Sequence, residues 1–431
     1  MVSKPILTIF YQFNPWQSSI GGIQTVIRSF VKYCPTQFDL RLVGIQNDSS
    51  HPLGKWQERE LFGKAIRFMP VLTIKDDNIR QLIPTTIKYT AALWQQRIVS
   101  DFLHFHRIEP TLAALNWPGE KTLFVHNDIQ QQVAGKDNKD TILWRHFPTG
   151  YLALEGFLVN QFTQILSCNS RSTEHYQQRY PAIADRVSTI KNTVDNEIFY
   201  PLTQEEKEEK RRNLAQEMDL PEDTQFLLFA GRLHPQKQPI LLLESLRSLN
   251  RTKVHLLVVG DGELREEIRS KISILGIGKQ VTMLGSLASG ELSKLMRVCQ
   301  GFVLTSAYEG LPVVVLEALA CGLPIVTTRC GETPNLLSAN SGVVCQESTP
   351  SAIAAAISLV LENPDRYPIE ACLASAQPFS ARSVVGAIGD EMLAHWDKSR
   401  LSHIKNNGEE DISEIKYLYP SRDSPENVSA R

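Results

Sequence analysis

The chain of 431 residues carries 45 Lys and Arg against 47 Asp and Glu, so no basic field speaks for nucleic acid and no acidic one for basic partners. Its length supplies two or three domains with sizeable cores. The seven cysteines are scattered without a CxxC spacing, no apolar run reaches the roughly 18 residues a membrane span needs, and MVSKPILTIFYQF has no signal-peptide cleavage pattern; a reduced cytoplasmic chain without a zinc site is expected.

Ile6 to Phe10 reads as a first strand, and Arg41 to Gly44 lies in another. Between them a turn containing Gly21 and Gly22 leads into an amphipathic helix, Val26 to Lys32. Strand, glycine turn, helix lets backbone amides and a helix N-terminus approach a phosphate or a sugar. Residues 79–99 form a predicted helix whose Lys88, Tyr89, Trp94 and Arg97 suit core packing and solvation as well as lipid contact. Leu103–His106 and Thr122–His126 are two further strands, each ending in a histidine, and Asn127 and Asp128 follow the second. An aromatic helix is expected over Ile142–Phe162, interrupted by Pro148 and Gly150. Ile165–Asn169 is a strand, and Asn169-Ser170 caps the next helix.

Gln204–Met218 is a charged, solvated helix and a natural hinge. Beyond it strands at Phe226–Gly231, Val254–Gly260, Val281–Leu284, Gly301–Leu304 and Ile325–Thr328 alternate with helices. That alternation predicts an α/β domain with a parallel sheet covered on both faces. Phe379-Ser380 opens a last helix to about Trp396, and the polar stretch Lys398–Arg431 is expected to be disordered.

Gly301 to Gly331 is the most informative stretch. A buried strand gives way to a loop, Thr305–Gly310, then Pro312 at the first helical position, a helix Val313–Ala320, and Gly322 as a left-handed cap. Glu317 is the one charge in that helix, and its neighbours three and four positions away are apolar or nearly so. A buried carboxylate needs a hydrogen-bonding partner, and none is offered locally. Its side chain leans back toward Glu309 and Gly310, so both carboxylates face one site at a strand's C-terminal end.

Glu309-Gly310-Leu311-Pro312 followed by Glu317-Ala318-Leu319-Ala320-Cys321-Gly322 resembles the Glu-x7-Glu segment of retaining glycosyltransferases of family 4, which have the GT-B fold: two Rossmann-like domains facing across a cleft. The resemblance implies that Glu309 contacts the transferred sugar and Glu317 the nucleotide ribose. Gly231-Arg232-x4-Lys237 is similar to the family's Gly-Arg-x4-Lys, whose cations bind the donor diphosphate, although Gln238-Pro239 replaces the usual glycine. Preorganised cations suit a leaving diphosphate that gains negative charge.

Val259-Gly260-Asp261-Gly262 resembles the donor-side Gly-x-Gly turn, and Gly285-Ser286-Leu287 the stretch whose backbone meets the base. Gly21-Gly22 resembles the N-terminal glycine loop, without the Lys-x-Gly-Gly-Leu form of bacterial glycogen synthases. His126 matches the histidine near the transferred sugar. Ser188–Asp195, followed by Phe199 and Pro201, resembles the segment that closes the first domain, with Lys191 and Thr193 departing from it.

The implied domains are residues 1–203 on the acceptor side, 204–378 on the nucleotide-sugar side, a crossover helix 379–397 packing back on the first domain, and a tail 398–431. The implied reaction moves a sugar, from a UDP- or GDP-sugar, to a glycan, lipid-linked or small-molecule acceptor in polysaccharide or glycoconjugate synthesis. Retention, no cofactor, no metal and a cytoplasmic place are expected, with peripheral membrane contact through the first domain left open. A nucleotide-sugar 2-epimerase shares the architecture but is disfavoured by the Glu pair and the Arg–Lys pair. A non-catalytic sugar-nucleotide binder is disfavoured because all four residues are intact.

Overall fold

The computed structural model describes residues 4–17, 21–75, 83–126 and 148–406. Asp76, Asp77, Asn127, Asp128 and the tail beyond 406 lie outside them.

The first sheet contains β1 (Ile6–Phe10), β2 (Asp39–Gln46), β3 (Gln57–Leu61), β4 (Lys64–Thr73), β5 (Phe102–Phe105), β6 (Glu120–Val125), β7 (Gln164–Ser167) and β8 (Val187–Thr189). They lie in the order β3-β4-β2-β1-β5-β6-β7-β8. All neighbours are parallel except β3 and β4. That hairpin was not expected from the sequence. Its first strand, QEREL, is largely charged, and its turn is Phe62-Gly63, both at positive φ (54° and 70°), as a two-residue hairpin turn requires.

The second sheet contains β9 (Gln225–Ala230), β10 (Val254–Val259), β11 (Val281–Gly285), β12 (Gly301–Leu304), β13 (Ile325–Thr327) and β14 (Gly342–Val344). Its order is β11-β10-β9-β12-β13-β14, parallel throughout. Helices cover both faces, so strands such as β9 and β10 are apolar along nearly their whole length. Phe226, Phe229 and Phe302 are fully buried there.

In each sheet the strand order reverses once, between β1 and β5 and between β9 and β12. Ligands in such sheets bind beyond the strands' C-terminal ends at these reversals. The residues that emerge there are Tyr11, His106 and Arg107 in the first sheet, and Gly231, Arg232 and the loop from Thr305 in the second.

Several boundaries differ from those the sequence suggests. The helix expected over 79–99 spans Thr85–Leu93, starting after Pro84, and residues 76–82 are not among those described. The aromatic helix spans Pro148–Val159, residues 142–147 being outside the described set. Pro312 stands one place earlier than expected: its ψ of 122° makes it the N-cap of Val313–Ala320. That helix ends as the glycine predicts. Gly322, at φ 72°, donates to Leu319 O (2.9 Å) and Leu323 donates to Ala318 O (3.0 Å), a complete Schellman closure.

The chain returns to the first domain where Ser380 bridges to Val194 and Ala381 N donates to Val194 O (2.9 Å). Arg382 there packs over the Tyr33 ring and pairs with Glu197. The helix Ala381–Asn406 outlasts the expected end at Trp396. From Ala387 it belongs to a second unit, whose described part is the rest of that helix. All seven cysteines are buried free thiols. No helix among the described residues is long and apolar enough to cross a membrane.

Candidate active site

A cavity of about 390 Å³ lies between the two sheets, and residues at both strand-order reversals line it. Thirteen of the fourteen site residues singled out in the sequence line it: Gly21, Gly22, His126, Gly231, Arg232, Lys237, Gly260, Ser286, Leu287, Glu309, Gly310, Leu311 and Glu317. Gly262 is outside the lining; its backbone backs onto Leu233, where a Cβ would stand 2.5 Å from the carbonyl oxygen.

On the first-domain wall, the helix Gly22–Tyr33 opens at Gly21, which offers no side-chain cap. Among the described residues no side chain caps its first amides, which leaves them for something in the cavity. On the opposite wall, Gly231 and Arg232 leave β9. The Arg232 side chain has no hydrogen bond or ion pair with any described residue, so an unneutralised guanidinium lines the cavity. Behind it, Gly260 sits at φ 132° so close to Gly231 that a Cβ would stand 1.9 Å from the Gly231 carbonyl oxygen. Only glycine fits that approach.

Lys237 closes a short turn, Pro235–Lys237, capped by His234, whose Nδ1 accepts from Gln236 N (3.1 Å). The position where the resemblance leads one to expect glycine is Gln238. It adopts the left-handed conformation (φ 46°, ψ 52°) that glycine takes most easily, and Pro239 then starts the next helix. The turn is kept at a cost of about 1–2 kcal/mol in backbone strain.

Lys237 is ion-paired with Glu309. The loop that carries Glu309 is stitched to the Lys237 turn. Thr305 Oγ1 lies 2.9 Å from Lys237 O and 3.0 Å from Gln238 O, Gln236 Nε2 donates to Tyr308 O (2.9 Å), and Ala307 N donates to Gln236 O (2.8 Å). From behind, Glu332 N donates to Gly310 O (2.9 Å), and a Cβ on Gly331 would stand 2.1 Å from that oxygen.

Glu317 is 6% exposed, and no described group donates to its carboxylate. Burial raises its pKa to about 8. The partner that its sequence environment demands is thus supplied by no described protein group, and Glu317 lines the cavity.

At the first-domain rim His126 follows β6. Burial lowers its pKa to about 4, with the nearby Arg107 charge acting in the same direction. Sequence reasoning passed over Tyr11, Arg107 and Asn192, all of which line the cavity. Arg107 interacts with Tyr11, Glu109 and Tyr151, which together outweigh the burial that would lower its pKa. Asn192 Nδ2 donates across to Leu311 O (2.7 Å). The strand-end position after the β5 histidines was the available signal for Arg107; nothing local marked Tyr11.

This arrangement offers an uncompensated cation, a cation–carboxylate pair, helix-end amides and a partly neutral carboxyl group around one cavity. It suits a ligand with phosphates and several hydroxyls.

Comparison with known proteins agrees with that geometry. Residues 210–371 match the family model described as glycosyl transferases group 1. The chain is similar to a sucrose-phosphate synthase from Thermosynechococcus elongatus (TM-score 0.74, 17% identity, covering 92% of this chain and 100% of that one). It is also similar to Anabaena HepE solved with UDP and glucose (TM-score 0.67, 18% identity, 90% and 100% covered). The fold is GT-B. In sequence, it is 30% identical over 226 residues to a D-inositol 3-phosphate glycosyltransferase of Segniliparus rotundus, covering 51% of this chain and 49% of that protein. The chain spans about half the length of the curated relatives it matches.

Proposed function

We propose that the protein is a retaining glycosyltransferase of the family 4 type that moves a sugar from a nucleotide-sugar donor to a hydroxyl acceptor. One observation carries this reading: Arg232, the Lys237–Glu309 pair and Glu317, which has no described partner, come from segments far apart in the sequence and meet in the cavity between the two sheets. The UDP, UDP-glucose and glucose bound in the HepE structures support a UDP-sugar donor.

Arg232 and Lys237 hold the diphosphate and stabilise the charge it gains as the sugar leaves. The amides at Gly21 and Gly22 approach it from the other wall. Glu317 meets the ribose hydroxyls, and Ser286 and Leu287 border the base. Glu309 and His126 hold the sugar, with Lys237 shared between Glu309 and the donor. The acceptor enters along the first domain.

The test is a thermal-stabilisation screen with UDP-, GDP- and ADP-sugars, because a ligand at 100 times its Kd adds about 2.7 kcal/mol. Product NMR should then give the anomeric configuration. Stabilisation by a UDP-sugar and an unchanged anomeric configuration are expected; no response to any nucleotide sugar, or an inverted product, overturns the reading.

A further inference from the structure

Three histidines stand on the two adjacent strands that end at the first-domain wall: His104 within β5, His106 just after it, and His126 just after β6. Only His126 reaches the cavity. His106 is 3% exposed and lies directly behind it, its Nδ1 2.8 Å from His126 Nε2. The two rings meet edge to edge and nearly coplanar, with centroids 5.1 Å apart and planes 15° apart. Phe124 stacks on His106, with centroids 4.7 Å and planes 12° apart, and its centroid is 6.5 Å from that of His126. Tyr11 meets the His106 ring edge-on at 6.3 Å. The aromatic packing fixes both imidazole planes, so the contact has little freedom to break.

A 2.8 Å contact between two ring nitrogens is a hydrogen bond only if one carries a proton and the other does not. Neither ring readily becomes an imidazolium. Burial lowers the His106 pKa well below its ordinary value, and His126 and His104 lower it further. His126 is depressed by burial and by Arg107. Among the described residues, the groups that act on the pair or pack against it are His104, Tyr11, Arg107 and Phe124, none of which is a carboxylate that would favour the charged form. One proton is thus shared between Nδ1 of His106 and Nε2 of His126. Whichever ring holds it, the state of His126 Nδ1 is fixed in the opposite sense: a neutral imidazole carries one N–H.

We infer that His106 is a positioning residue that locks His126 in a single neutral tautomer, so that His126 presents one defined hydrogen-bonding character to the sugar hydroxyl in the cavity. A hydroxyl can donate or accept, and the lock decides which it does here. The role rests on the glycosyltransferase reading; the lock itself does not.

The experiment uses full-length protein labelled with ¹⁵N and ¹³C at histidine, with the variants His106→Phe and His106→Asn. Phe keeps the stack against Phe124 and removes the nitrogen. Asn places an amide near the position of Nδ1, where it can donate or accept. Ring ¹⁵N shifts at pH 7.5 should show His126 as one tautomer in the parent and in His106→Asn, and as a mixture in His106→Phe. A His126 tautomer unchanged in His106→Phe overturns the lock.

With UDP-glucose as probe donor, kcat should fall about five- to tenfold in His106→Phe with KM little changed, the scale of one neutral hydrogen bond. His106→Asn should recover to within about twofold on the same scale. Equal losses in both variants, tracking a common fall in Tm, would mean that His106 only packs. Failure of the parent to bind any nucleotide sugar would count against the proposed function, and the tautomer result would still decide the lock.

Discussion

Glu317 has a pKa near 8 because burial in an apolar helix disfavours its carboxylate. A folded value above the ordinary 4.5 means that the native state holds a proton the unfolded chain has lost. The stability this supplies is fully present below about 4.5 and is lost as the pH rises through about 8. Glu317→Gln cannot ionise, so its Tm relative to the parent should climb from pH 5 to about pH 8 and level off above it. Parallel Tm profiles would show that the carboxyl is not desolvated. The same substitution should weaken UDP binding, because an amide cannot accept from both ribose hydroxyls as a carboxyl that ionises on binding can. Glu309→Gln should behave differently. It releases Lys237 from its ion pair, so UDP should bind at least as tightly while sugar transfer falls; calorimetry with UDP on the two variants checks the division. Both carboxylates were legible in the sequence, Glu317 because a lone charge among apolar helix neighbours demands an explanation. Its missing partner was legible as a question, and the answer required the cavity.

The strand and helix segments of the second domain were legible because short apolar runs bounded by glycine and proline fit buried strands. The β3–β4 hairpin was not, since a mostly charged strand and a Phe-Gly turn carry neither the alternation nor the Asn-Gly signal. Gln238 shows the same limit at one residue, where the fold holds a left-handed turn without its usual glycine. The connection between the two motif loops was invisible for another reason: residues far apart in sequence are joined only by tertiary hydrogen bonds. Thr305 is the knot, its hydroxyl against two successive carbonyls of the Lys237 turn. Thr305→Val keeps the shape and removes the hydroxyl from both carbonyls, of which Gln238 O keeps Leu242 N (3.4 Å). The expected loss is about 1–3 kcal/mol of stability, read by urea unfolding. Transfer should fall further than stability alone explains, because Lys237 and Glu309 lose their common mount. A stable, fully active valine variant would show the two loops to be independent.

At the scale of the whole molecule, the cavity is completed by groups from both domains. Asn192 Nδ2 reaches Leu311 O (2.7 Å), and Ser170 donates through both N (3.1 Å) and Oγ (2.6 Å) to Glu332. The cations divide in the same way: Arg232 and Lys237 stand on one wall, and Arg107 with the helix-end amides on the other. Stabilising a departing diphosphate requires positive charge where negative charge develops, supplied by a divalent cation or by fixed protein groups. A hard cation wants a cluster of carboxylate oxygens. Among the described residues no group of three or more His, Cys, Asp or Glu could hold one, and the cavity's Glu309 is already committed to Lys237. The protein cations are therefore expected to carry the leaving group. Transfer should survive exhaustive chelation, and Arg232→Ala should cost on the order of 10²-fold in turnover without loss of Tm. Activity abolished by chelation and restored by Mg²⁺ or Mn²⁺ would contradict the assignment of Arg232 and Lys237. Modest stimulation would not, because Mg²⁺ also binds the released nucleotide in solution. Adding Mg²⁺ to Arg232→Ala sharpens the comparison: a lost guanidinium at a metal-independent site should not be rescued, whereas a site that relies on the cation should recover part of its rate.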